Sequence, residues 1–95
     1  MECHSKYKVP GGKLIEIRLV HKNGTIESLE IIGDFFLLPE EKLGLIEKSV
    51  EGFKIDADEK DIASNIAEVV SKEKIEMVGI DPASIAKAVK MAVNS

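Results

Sequence analysis

Apolar residues alternate with polar ones early in the chain and recur at helical spacing later. Ile15, Ile17 and Leu19 fall on one side of an extended segment, Lys13 to Val20, and Glu16 and Arg18 on the other. That period of two marks a half-buried strand. Ser5 to Val9 is a shorter strand before it. Pro10-Gly11-Gly12 joins the two as a turn, since proline presets φ and glycine tolerates positive φ. Asn23-Gly24 signals a tight hairpin, and Thr25 to Ile32 returns as a third strand. Its apolar positions step unevenly from Ile26 to Leu29, which predicts a bulge near Glu27-Ser28. Residues 1–4 are expected to be a loose tail.

From Pro39 the pattern turns helical. Proline suits the first helical position, and Glu40 and Glu41 suit the positive end. Leu43, Ile46 and Val50 follow on one face, and Gly52 suits the C-terminal cap. A second helix is predicted from Asp58 to about Lys74. Its stripe is Ile62, Ile66, Val69 and Val70, with Ala63 and Ala67 permitting close approach. A third opens at Asp81-Pro82, an N-cap followed by proline, and carries Ile85, Ala88, Val89 and Ala92 inward. Strands followed by helices make an α+β fold: a three-stranded antiparallel meander covered by about three C-terminal helices. A bare sheet of that size would not be stable alone. No linker-like run or internal repeat divides the chain, so residues 1–95 read as a single domain.

Composition narrows the function classes. A chain of 95 residues buries roughly 60–65% of its unfolded surface, enough for one modest core. Four aromatics and no Trp leave that core aliphatic. Thirteen Lys and Arg against seventeen Asp and Glu give a net charge of −4, which argues against a nucleic-acid partner. No apolar run approaches the ~20 residues of a membrane span and no signal-peptide pattern is visible. No membrane partner and a cytoplasmic location are therefore expected. A single cysteine, Cys3, excludes an internal disulfide.

Most familiar chemistry fails on spacing. Gly11-Gly12-Lys13 suggests a phosphate loop, but the required earlier glycine falls on Tyr7 and the required hydroxyl residue on Leu14. Asp56, Asp58 and Asp61 suggest a calcium loop, but the fifth, sixth and twelfth positions are Lys60, Asp61 and Ala67. Helix capping by Asp58 is the better account. Cys3, His4 and His21 do not supply four zinc ligands, and no nucleophile–base pair or nucleophile elbow can be argued. No catalytic residue and no metal ligand is assigned.

One stretch stands apart, Gly33-Asp34-Phe35-Phe36-Leu37-Leu38-Pro39. Gly33 frees the backbone at the strand end. Asp34 is expected to hydrogen-bond nearby backbone N–H groups, as aspartate does in turns. Phe35 and Phe36 point opposite ways in an extended segment. Either both fold under the helices, or one enters the core and the other forms a contact surface, where aromatics contribute disproportionately.

The run Lys8-Val9-Pro10-Gly11-Gly12-Lys13-Leu14, the hairpin, and then Ile31-Ile32-Gly33-Asp34-Phe35-Phe36 resemble the C-terminal accessory domain, or small subunit, of lipoate–protein ligase A. Pro39, the helix with Leu43 and Glu47, Gly52, and Gly79-Ile80-Asp81-Pro82 agree with it, so the resemblance spans about residues 5–92. It implies a fold shared with iron–sulfur scaffold proteins. Those use several cysteines; this chain has Cys3 alone, so cluster assembly is not supported. The resemblance further implies an accessory subunit, not catalytic alone, that joins a large catalytic subunit in making lipoyl-AMP from lipoate and ATP. Lipoyl transfer to an acceptor lysine follows, which makes lipoyl acceptor domains indirect partners. On this reading no cofactor binds this chain alone; lipoate, ATP and Mg sit at the partner's site. Gly33, Asp34, Phe35 and Phe36 become candidate interface residues, with one phenylalanine in the core and the other on the partner. Lys13 becomes a candidate lid residue toward the partner's nucleotide, against the plainer reading of a solvated lysine. The alternative is a non-catalytic module of the same fold that binds another protein or a small acid.

Overall fold

In the computed structural model, which describes residues 1–95, three strands come first: β1 (Glu2–Lys8), β2 (Leu14–Lys22) and β3 (Thr25–Gly33). They pair antiparallel in the order β1-β2-β3. Ile15, Ile17 and Leu19 share the buried face with Ile26, Leu29 and Ile31, as the alternation requires. The bulge lies where it was expected. Pairing steps from Val20 with Ser28 to His21 with Ile26, leaving Glu27 without an opposite residue.

The start of the chain differs from the expected loose tail. Glu2, Cys3 and His4 pair with Val20, Leu19 and Arg18, and the Met1 carbonyl accepts the His21 N–H at 2.9 Å. The reason is that β2 runs on to Lys22 and its far end needs a partner. Cys3 falls in phase with Ser5 and Tyr7 on the inner face, and is buried there.

The helices are α1 (Leu43–Val50), α2 (Glu59–Lys72) and α3 (Pro82–Val93). Helix α3 lies over β1 and β2, α1 lies over β3, and α2 packs on both helices. Ile85, Ala88, Val89 and Ala92 are all buried, and Asp81 caps α3 by accepting the Ser84 N–H at 2.7 Å. The fold is therefore α+β, a three-stranded antiparallel sheet with three helices on one face. No helix is long and apolar enough to cross a membrane.

Several boundaries shift for local reasons. Pro39 precedes a short 3-10 turn, Glu40–Lys42, that leads into α1. Helix α2 stops at Lys72 because Lys74 takes a positive φ of 53°. The Ile75 N–H then reaches the Val70 carbonyl and the Lys74 N–H the Ser71 carbonyl, a Schellman closure without glycine. Asp58 holds the N-cap position of α2 but its side chain makes no capping bond. Ala67 is exposed, so only Ala63 of the two small residues contacts the core.

The outer edge of β3 is closed by its own chain. The Ile26 N–H donates to the Phe53 carbonyl and the Ile55 N–H to the Gly24 carbonyl. Further along, the Glu47 carboxylate accepts the Ile31 N–H at 2.8 Å. A second sheet has two strands, β4 (Phe36–Leu38) and β5 (Glu76–Val78). The sequence pattern does not announce it.

Candidate docking site

The sequence candidates gather at one end of the molecule, where three distant segments meet. The Lys13 N–H donates to the Gly79 carbonyl at 2.9 Å. Gly79 has φ +89°, and the Lys13 stem lies against its Cα, so glycine is needed there twice over. Gly33 pairs with Ile15 at the end of β3. A Cβ at position 33 would overlap the Leu14 carbonyl oxygen and press on the Phe35 ring. Beyond Phe35 the chain enters β4, whose pairs with β5 are Phe36 with Val78, Leu37 with Met77 and Leu38 with Glu76.

Alternation then sorts the side chains. Leu37 is only 4% exposed, whereas Phe36 is 63%, Leu38 50% and Val78 53% exposed. Phe35 is half-buried against the core. Of the two phenylalanines, Phe36 is thus the outer one. The inward anchor of the segment is Leu37, helped by Phe35, because the strand begins at Phe36 and its phase follows from there. Leu14 and Ile32 extend the exposed apolar residues onto the outer face of β2 and β3. A groove of about 470 Å³ lies between Ile32, Gly33, Phe35, Phe36 and Leu43, with Glu40 as its charged member.

Asp34 departs from expectation. It is exposed and makes no hydrogen bond. The chain bends only at this residue and is extended again by Phe36, so no local N–H comes round to the carboxylate as it would in a tight turn. Lys13 is exposed, with its backbone rather than its ammonium group fixing the loop. No group of three or more His, Cys, Asp or Glu stands together to hold a metal ion; Cys3 faces the core while His4 faces outward. What this end offers is apolar contact area beside exposed charge.

Leu38, Val78 and Glu76 are the members that sequence reasoning missed. The only available signal was Lys74-Ile75-Glu76-Met77-Val78, a short alternation between two helices.

No family model matches the chain, and a search of curated proteins finds no significant match. Among solved structures, a Thermoplasma acidophilum chain matches with a TM-score of 0.69 at 24% identity, covering 90% of this chain and 96% of that one. It comes from a structural analysis of an archaeal lipoylation system, a bi-partite lipoate protein ligase and its E2 lipoyl domain. At this identity the likeness establishes the fold, an α+β domain matched over nearly the whole length of both chains.

Proposed function

We propose that this chain is the accessory subunit of a two-part lipoate–protein ligase, needed with a large catalytic subunit for lipoate adenylation. One observation carries the reading: the fold is matched almost end to end by a chain from a bi-partite ligase system. The likeness of Lys8 to Leu14 and of Ile31 to Phe36 to the accessory domain supports it independently, and both runs meet at the same end of the molecule.

In adenylation the lipoate carboxylate attacks the α-phosphorus of ATP. Lipoyl-AMP forms and pyrophosphate leaves, before the lipoyl group passes to an acceptor lysine. Such a site must neutralise polyphosphate charge and keep water from a mixed anhydride. Lipoate, ATP and Mg belong to the catalytic subunit on this reading, and both subunits work in the cytoplasm. This chain contributes a brace or lid that completes the closed site, and Lys13 is its candidate cation toward the nucleotide.

The test is co-purification with the catalytic subunit of the same organism, followed by lipoate-dependent pyrophosphate release. The expected result is a stable complex that forms lipoyl-AMP while either chain alone does so poorly. A catalytic subunit that is fully active alone and forms no complex with this chain would overturn the proposal.

A further inference from the structure

We propose that the exposed face of the β4–β5 pair, with the groove beside Phe36, receives a projection of the catalytic subunit that is apolar at its centre and ringed by lysine or arginine. This rests on the two-part reading above and adds to it the surface and the chemistry of its complement.

The apolar half of the argument is positional. Phe36, Leu38 and Val78 are each half or more exposed and stand on the same side of one small sheet. A chain with four aromatics leaves one of them largely in water there. Contiguous exposed apolar side chains rimmed by polar ones mark interaction surfaces, and aromatics are the usual anchors of such surfaces. A two-stranded sheet is also marginal by itself, so a partner covering its outer face would stabilise it.

The charged half selects the occupant. Glu40 lines the groove, Glu76 stands opposite Leu38, Asp34 lies two residues before Phe36 in the chain, and all three are exposed. None of them forms an ion pair; the single ion pair of the chain joins Lys42 to Glu73. The cations nearby are Lys13, Lys8, whose ammonium is taken up by the Val9 and Gly12 carbonyls, and Lys42, which is paired with Glu73; the whole chain carries −4. Unpaired carboxylates around an apolar centre favour a basic rim on the partner and speed its approach. A second copy of this chain would instead set acidic rim against acidic rim.

The experiment measures affinity between this chain and the catalytic subunit by calorimetry at low and high salt. The variants are Phe36→Ala, Glu40→Lys combined with Glu76→Lys, and Met91→Ala. Met91 is exposed on the last turn of α3, near the Lys90 bond to the Ile55 carbonyl and so at the opposite end. Phe36→Ala should weaken binding by about thirtyfold or more, the scale of a hot spot. The charge reversal should weaken binding at low salt and remove most of the salt dependence, and Met91→Ala should bind as the unaltered chain does. Melting of each isolated variant separates a lost contact from a lost fold. A complex that forms normally with both altered faces would overturn this surface and leave the two-part reading standing. No complex with the unaltered chain would overturn both. Affinity indifferent to salt would overturn the basic ring. A dimer of the isolated chain that Phe36→Ala dissociates would make the face a self-contact and overturn the proposed occupant.

Discussion

Neighbouring residues in β4 should respond to truncation to very different degrees. Leu37 is 4% exposed and lies opposite Met77. Replacing a buried leucine by alanine costs about 2–5 kcal/mol, depending on how far the site collapses. A three-residue strand can relax, so the lower half, about 2–3 kcal/mol, applies to Leu37→Ala. At about 4–8 °C per kcal/mol for a domain of this size, the melting temperature should fall by about 8–24 °C. Phe36 is 63% exposed, so only about a third of it leaves water. Full burial of a phenylalanine is worth about 1.5–3 kcal/mol, which makes Phe36→Ala worth about 0.5–1 kcal/mol and about 2–8 °C. Thermal melts by circular dichroism and urea titrations with matched slopes would measure both. If Phe36→Ala cost more than Leu37→Ala, the register of β4 would be off by one residue. Every side chain of the strand would then exchange faces, and the reasoning would be refuted.

Three further outcomes follow from single contacts. Glu47→Ala removes the acceptor of the Ile31 N–H and should cost about 1–3 kcal/mol in a urea titration, with Glu47→Gln recovering part of it. Gly33→Ala forces a Cβ onto the Leu14 carbonyl oxygen and should lower stability by about 1–3 kcal/mol through strain, seen as a lower melting temperature. Asp34→Ala removes an exposed carboxylate that makes no hydrogen bond, so its melting temperature should correspond to a change within about 0.5 kcal/mol.

The legible parts of the chain were those in which one period governs many residues. Ile15, Ile17 and Leu19 announce a strand, and Ile85, Ala88, Val89 and Ala92 a helix, because each burial decision repeats. The bulge at Glu27 was legible for the same reason, as a break in a regular count. What escaped was set by contacts far apart in sequence. Residues 2–4 form a strand only because the end of β2 offers them a ladder. Glu76–Val78 is too short to declare itself and exists as a strand through Phe36–Leu38. The candidate end was legible as a list of residues, Lys13 and Gly33 to Phe36, but not as an arrangement. Adjacent phenylalanines left open whether both go under the helices or one faces in and one out; only the pairing with β5 shows that Phe36 is outside and Leu37 the deeper residue. Asp34 misled because its usual role needs a tight turn, and the chain there only bends.

The pairing of Phe36 with Val78 closes a loop of chain that contains both α1 and α2. That closure carries an entropic cost which only a finished interior repays. The outer face of β4 and β5 is therefore absent from a chain whose helices are not yet in place. Any molecule that binds this face reads the completeness of folding as well as the identity of the residues. By mass action it also holds the entire domain folded, because the unfolded chain has nothing equivalent to offer it.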